Sequence, residues 1–161
     1  MPSDFTVIQA VRQRFGDQAD AWEVQTEQEA PFVGAAKDFA FSCPGVLPAE
    51  WGVLQFGTLG VFKTTPILRI NGVDIPGAIS AGPGAMLVTP AGQTLLHTFL
   101  PFWGSHFLLV PPGALREQNT LHVESTPTPE GDLDNFILDN VVVFFKTPAG
   151  SRGLPTPLPR E

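Results

Sequence analysis

Short apolar runs, separated by glycine and proline, recur along the chain from Phe32 onward. In residues 39–41 two phenylalanines flank an alanine, and in residues 119–125 Leu121 and Val123 alternate with polar side chains. A period of two is typical of a strand that buries one face and exposes the other. Such runs follow one another at intervals of about ten to fifteen residues. The pattern predicts a chain built from about eight short strands.

The segments between these runs leave almost no room for helices. Parallel strands need crossover connections of about a dozen residues or more, which are usually helical. The dipeptide Asn71-Gly72 follows the apolar run 66–70 and is a strong hairpin signal, because both residues tolerate positive φ. We therefore expect an all-β fold over residues 31–146, an antiparallel two-sheet sandwich of the jelly-roll type.

The two ends of the chain differ in pattern from this sandwich. In the N-terminal extension, residues 1–30, the apolar positions of residues 4–15 stand at helical spacing and predict one short helix. Residues 5–8 would fit a strand equally well. Residues 147–161 contain four prolines, few apolar residues and no periodicity, which predicts a disordered, proline-rich tail.

Composition and charge exclude several classes of protein. Of the 161 residues 43% are hydrophobic and only 16% are charged, which excludes an intrinsically disordered chain. The net charge of -7 would repel both a phosphate backbone and an anionic membrane, so we expect neither nucleic acid nor membrane as a partner. The first residues lack the pattern of a signal peptide, and no apolar run reaches about 18 residues. A soluble, cytoplasmic protein is expected.

Three segments carry a resemblance to a known superfamily. Residues 68–73, LRINGV, resemble the L-x-V-N-G hairpin of galactose-binding-like jelly rolls, such as carbohydrate-binding modules and the sugar-binding domain of beta-galactosidase-type enzymes. Residues 115–123, LREQNTLHV, look like their G-x-N-x-L-x-V element, with Glu117 where the family usually has glycine. Residues 136–143, FILDNVVV, are similar to the F-x-I-D-N-V closing strand. The resemblance covers roughly residues 39–146 and implies a jelly roll that binds carbohydrate.

Candidate sugar-binding residues are the loop aromatics and the polar groups near them. A sugar site needs an apolar surface for the ring and a few fixed polar groups for its hydroxyls. Two tryptophans stand between loop signals, two histidines lie near the second of them, and an arginine and an aspartate flank the Asn-Gly turn. Each tryptophan could instead cap one end of the core. The candidate ligand-binding residues are Trp103, His106, Trp51, His97, Arg69 and Asp74.

One acidic loop, residues 130–135, could hold a cation. Asp132, Asp134 and Asn135 supply hard oxygen ligands of the kind calcium prefers, and jelly rolls of the resembling type often hold a structural calcium. The full spacing of an EF-hand loop is absent, and a solvated acidic turn explains the same residues. No other cofactor is expected.

Transition-metal and disulfide chemistry find little support in the sequence. Cys43 is the single cysteine, which excludes an intrachain disulfide and a multi-cysteine zinc site, and we expect it to be a small buried residue. The H-x-H pair of a cupin-type metal site is also missing. The histidines that could in principle share one metal are His97, His106 and His122.

Catalytic signatures are equally scarce. There is no G-x-S-x-G elbow, and no G-x-G-x-x-G opens a helix. The first hypothesis is therefore a non-catalytic, lectin-like module that binds carbohydrate. The alternative is a structural or interaction protein that forms homo-oligomers through apolar sheet faces. An enzyme with paired carboxylates is the third hypothesis. The phenylalanines that suggest the alternative are Phe102, Phe107, Phe144 and Phe145.

Overall fold

Ten strands and no helix form the described part of the chain, which in this computed structural model comprises residues 1–21, 29–61, 64–77 and 103–149. The strands make two sheets, which confirms the all-β prediction. Their bounds are β1 (Ser3–Gln9), β2 (Gln13–Phe15), β3 (Phe32–Gly34), β4 (Ala36–Ser42), β5 (Gly52–Leu59), β6 (Ile67–Ile70), β7 (Val73–Asp74), β8 (Gly104–Val110), β9 (Gln118–Glu124) and β10 (Phe136–Lys146).

The larger sheet has six strands and is built around β10. On one side β10 pairs with β5, which pairs in turn with β8. On the other side the C-terminal half of β10 pairs with β1 and its N-terminal end with β2. The change of partner coincides with a bulge at Asn140, whose φ is 49°. Strands β2 and β3 pair in parallel, so the expectation of antiparallel pairing throughout is wrong at this edge.

The smaller sheet has four antiparallel strands in the order β4-β9-β6-β7. Strands β6 and β7 form a hairpin closed by Asn71 and Gly72, whose φ angles are 52° and 81°. Two consecutive left-handed residues are what a tight primed turn requires, so the hairpin prediction is confirmed. Within β9, Leu121 and Val123 are fully buried while His122 points to the opposite face, as the alternating pattern predicts.

The core lies between the two sheets. Phe56 and Leu54 enter it from the larger sheet, and Phe41 and Ile70 enter it from the smaller one. Cys43 is fully buried beside them, and burial raises the pKa of its thiol to about 11. This arrangement confirms a two-sheet β-sandwich and the predicted burial of the cysteine.

The predicted N-terminal helix is wrong, because residues 3–9 form β1. Phe5 and Val7 are exposed while Thr6 and Ile8 are partly buried, which is the period of a strand. The backbone groups of β1 pair with β10 along almost its whole length. This long-range pairing outweighs the helical spacing of the apolar residues, since strand formation depends on the available partner.

Several predictions fall on residues outside the described ranges. They concern two of the short apolar runs predicted as strands, residues 86–88 and 95–99, together with His97, Phe102 and the tail from residue 150 onward.

Among the residues that the structure describes, no helix is long and apolar enough to cross a membrane.

Candidate functional site

An open pocket of about 510 Å³ lies over the outer face of the four-stranded sheet. It is floored by β9 and β6 and bounded by the hairpin turn and by the loop before β9. We call it the polar pocket, because every side chain that lines it is polar or charged. Its lining residues are Asp38, Arg69, Asn71, Gly72, Arg116, Thr120 and His122.

A row of four ionisable side chains crosses the sheet beneath this pocket, one from each strand. Asp38 of β4 lies directly opposite His122 of β9, His122 lies opposite Arg69 of β6, and Arg69 lies opposite Asp74 of β7. Directly opposed residues project from the same face of a sheet, so register alone brings the four together. Each element contributes one member, and no sequence motif contains them all.

His122 stands between two carboxylates. Its Nδ1 lies 2.7 Å from Oδ1 of Asp38, and its Nε2 lies 3.2 Å from Oε2 of Glu124. The hydrogen bond with Asp38 is the main cause that raises the pKa of His122, while partial burial opposes it and Glu124 adds to it. The carboxylates therefore favour the doubly protonated ring and fix its orientation.

Arg69 and Asp74 are paired across the hairpin. Nε of Arg69 donates to Oδ1 of Asp74 at 2.7 Å, and the side chain of Asp74 is largely exposed while that of Arg69 is partly exposed. An exposed pair of this kind adds little to stability. Its consequence is positional, because one bond through Nε leaves the two terminal amino groups of the guanidinium available to a ligand.

Two asparagines hold the wall of the pocket. Asn71 donates from Nδ2 to the carbonyl of Ala114 and to Oδ1 of Asn119, both at 2.8 Å, and its Oδ1 accepts from the backbone N–H of Thr120. Asn119 is buried, accepts from the backbone N–H of Arg116 and donates back to its carbonyl. Asn119 thus holds the backbone of its own loop. Both asparagines position the wall and have few groups left for a ligand.

The atoms left unengaged define what the polar pocket can bind. In the part of the chain that the structure describes, the guanidinium of Arg116 has no ion-pair or hydrogen-bond partner. Asp38 keeps its second oxygen, Arg69 its amino groups and Thr120 its hydroxyl. These groups can donate and accept hydrogen bonds in fixed directions, as recognition of a polyhydroxylated ligand requires.

The structure divides the sequence-predicted site residues between the two sheets. Arg69 lines the polar pocket, and Asp74 pairs with it from outside the lining. Trp51 and Trp103 precede β5 and β8 of the larger sheet and are about half exposed, at 53% and 44%. The guanidinium of Arg12 lies over the ring of Trp103, 4.7 Å from its centroid, and covers one face of the indole. Neither tryptophan lines the polar pocket, so the predicted residues do not form one site.

His106 does not share a surface with Trp103. Its Nε2 lies 2.7 Å from the hydroxyl of Thr58, and its ring packs 5.2 Å from that of Phe56. Thr58 and Phe56 are both buried, so His106 faces the core side of β8. Burial lowers the pKa of His106, which favours the neutral ring. A role in sugar binding beside Trp103 is not supported by this orientation.

Two of the proposed calcium ligands serve the fold. Asp134 and Asn135 are buried, and each accepts a hydrogen bond from a backbone N–H, of Thr64 and of Gln18 respectively. Among the described residues no group of three or more histidine, cysteine, aspartate and glutamate side chains could hold a metal ion. Calcium binding by Asp132, Asp134 and Asn135 stays a prediction.

Sequence reasoning missed Asp38, Arg116 and Thr120. The signal that could have found Thr120 was the alternation of β9, because it shares the outward phase of His122. Asp38 becomes a neighbour only through the β4–β9 register, which links residues far apart in the chain.

Comparison with known proteins finds only distant structural similarity. No protein-family profile and no curated protein matches the sequence. The catalytic unit of a thermostable GH87 alpha-1,3-glucanase from Streptomyces thermodiastaticus strain HF3-3 is similar at a TM-score of 0.37 and 13% identity, over 98% of this chain and 28% of that one. The catalytic domain of a GH87 alpha-1,3-glucanase variant in complex with tetrasaccharides is similar at a TM-score of 0.35 and 13% identity, over 98% of this chain and 30% of that one. The chain spans under a third of each, and scores this low carry no argument about function.

Proposed function

We propose that this protein is a non-catalytic carbohydrate-binding module and that the polar pocket is its binding site. The observation that carries the proposal is the cross-strand row of fixed polar side chains. Asp38 is held by His122 and Arg69 by Asp74, so binding would cost little side-chain entropy. Planar carboxylate and guanidinium groups can each bond two neighbouring hydroxyls of a sugar ring.

The resemblance to galactose-binding-like jelly rolls supports the same site. The LRINGV segment supplies Arg69 and the turn, and the LREQNTLHV segment supplies Arg116, Thr120 and His122. Two segments distant in sequence thus line one cavity. Membership of that superfamily is part of the proposal.

A binding role fits the lining better than catalysis does. Hydrolysis of a glycosidic bond ordinarily uses two carboxyl groups that flank the scissile bond. Asp38 is the sole carboxylate among the described lining residues, and it is hydrogen-bonded to His122. The pocket can therefore orient a sugar but lacks the second carboxyl group of that mechanism.

Retention on a glycan array, compared among matched variants, tests the proposal. We expect Arg69→Gln and Thr120→Val to lose at least tenfold in retention, because they remove donors from the pocket. Trp103→Ala should retain the wild-type signal, because Trp103 lies on the other sheet. Thermal unfolding of each variant controls for folding. Loss of retention in Trp103→Ala alone, or no retained glycan for the wild-type protein, would overturn the assignment.

A second candidate function is self-association through the outer face of the six-stranded sheet. Outward side chains of four adjacent strands form a mainly apolar surface there, interrupted by Gln55 of β5, and we call its apolar residues the apolar face. Exposed apolar patches of this kind mark interaction sites more often than chance. The apolar face consists of Phe5, Val7, Val53, Phe107, Leu109, Val142 and Phe144.

A further inference from the structure

The unengaged groups of the polar pocket are mostly hydrogen-bond donors. A guanidinium carries five N–H donors and no acceptor. Arg116 presents all five, and Arg69 presents those that Asp74 does not use. The free oxygen of Asp38 is the single charged acceptor left in the described lining. A ligand that satisfies this pocket must itself be rich in acceptors.

The pairing of the charges points in the same direction. Asp74 offsets Arg69, and Asp38 and Glu124 face His122 from both sides. Arg116 is the cation of the lining that no described carboxylate offsets. With His122 protonated these six charges sum to zero, but the guanidinium of Arg116 stands at the edge of the pocket without a carboxylate partner among the described residues. Its positive charge is the one that an anionic group of a ligand can pair with, although the whole chain is acidic.

We infer that the ligand is an acidic glycan, whose carboxylate or sulfate group binds between Arg116 and Arg69. This inference rests on the proposed function and adds the chemical class of the sugar. Guanidinium groups bind planar or tetrahedral oxyanions through paired hydrogen bonds, which an ammonium group cannot do as well. The second oxygen of Asp38 and the hydroxyl of Thr120 would then take the sugar hydroxyls.

The net charge of -7 does not oppose this assignment at physiological salt. Interactions between exposed charges are screened over about 8 Å at that ionic strength. Carboxylates on other parts of the surface then act weakly on a ligand in the pocket, whereas Arg116 and Arg69 would be in direct contact with it.

The test compares pairs of oligosaccharides that differ only in the anionic group. Oligogalacturonate is titrated against its methyl ester, and a sulfated galactan oligomer against its desulfated form, by isothermal calorimetry. We expect at least one acidic member to bind tenfold or more tightly than its neutral partner. Arg116→Gln should reduce that ratio to less than threefold. Lys146→Gln removes one positive charge from the other sheet and should leave the ratio unchanged.

Two outcomes separate failure of this inference from failure of the proposed function. Equal affinity of acidic and neutral members overturns the acidic-glycan assignment and leaves carbohydrate binding standing. Failure of every oligosaccharide to bind, while free sulfate binds, overturns both. A charge preference that persists in Arg116→Gln and disappears in Lys146→Gln also overturns the assignment, because the oxyanion then binds elsewhere.

Discussion

His106 and His122 lie in opposite environments, although both are on antiparallel strands with alternating patterns. His122 faces the two carboxylates of Asp38 and Glu124, which raise its pKa. His106 turns toward Thr58 and the core, where burial lowers its pKa. Sequence alone places His122 on the outer face, but it cannot show which charges stand opposite it.

This contrast predicts the order of titration. Followed by NMR of the ring protons, His122 should titrate above 6.5, the ordinary histidine value, and His106 below it. The stability contributed by His122 is fully present below the pKa of the unfolded chain and is lost as pH rises through the higher folded pKa. The contribution of His106 is present above the unfolded pKa and is lost as pH falls toward the folded value.

The control for His122 is Asp38→Asn, which removes its main partner. We expect this variant to bring the pKa of His122 closer to 6.5 and to leave that of His106 unchanged. If His122 titrated below His106 in the wild-type protein, the cross-strand row would not exist as described.

At the level of elements, local signals predicted the hairpin and β9 correctly. Asn71 and Gly72 determine the turn between β6 and β7, because both residues accept positive φ. In β9 every second residue is apolar, which buries Leu121 and Val123. For residues 5–8 the sequence left a strand open beside the predicted helix, because the partner that decides between them, β10, lies at the other end of the chain. Local spacing could not reveal that pairing.

The loop before β9 should depend strongly on one side chain. Asn119→Ala removes acceptor and donor groups from Arg116 and Asn71 in a buried site, so we expect a loss of about 1–3 kcal/mol in the free energy of unfolding. Its exposed neighbour provides the control, because Gln118→Ala should change that energy by no more than about 0.5 kcal/mol. Urea denaturation measures both. Equal effects would contradict a structural role for Asn119.

At the scale of the whole molecule, the two sheets present different outer surfaces. The four-stranded sheet carries the polar pocket, and the six-stranded sheet carries the apolar face. Phe107 is 64% exposed and Phe5 is 58% exposed. Phe145 follows Phe144 in β10, projects from the opposite face of the sheet and is buried. Of the phenylalanines that suggested an interface, Phe107 and Phe144 lie on this face, and Phe145 belongs to the core.

The occupant that best fits the apolar face is a second copy of this chain. Its seven side chains carry no charge, so two acidic molecules could meet there without burying a carboxylate from it. Four strands about 4.8 Å apart, with at most two apolar outward positions each at a spacing of about 6.8 Å, span roughly 260 Å². That is about a third of the ~800 Å² that each partner buries in a standard interface. We therefore expect a weak dimer.

Analytical ultracentrifugation over a range of concentrations measures this association. The wild-type protein should shift from monomer to dimer as concentration rises, and Phe107→Asp should remain monomeric. Gln118→Asp adds the same charge on the other sheet and should behave as wild type. A monomer at every concentration, or equal effects of the two variants, would exclude the apolar face as the interface.

The sandwich followed from the sequence more readily than the site did. Alternation and turn residues are local properties and predicted most of the strands, whereas the polar pocket depends on register between β4, β9, β6 and β7. Arg69 was predicted because it flanks a recognisable turn. Asp38 and Arg116 were not, because neither stands in a local pattern that differs from an ordinary exposed strand or loop.

The central claim, that the polar pocket binds sugar, is tested most directly by mapping amide chemical shifts during titration with a retained glycan. The account predicts that the largest shifts occur at Asp38, Arg69, Gly72, Arg116, Thr120 and His122, while amides near Trp51 and Trp103 stay unperturbed. Shifts concentrated around Trp103 or across the apolar face, with the pocket silent, would contradict it.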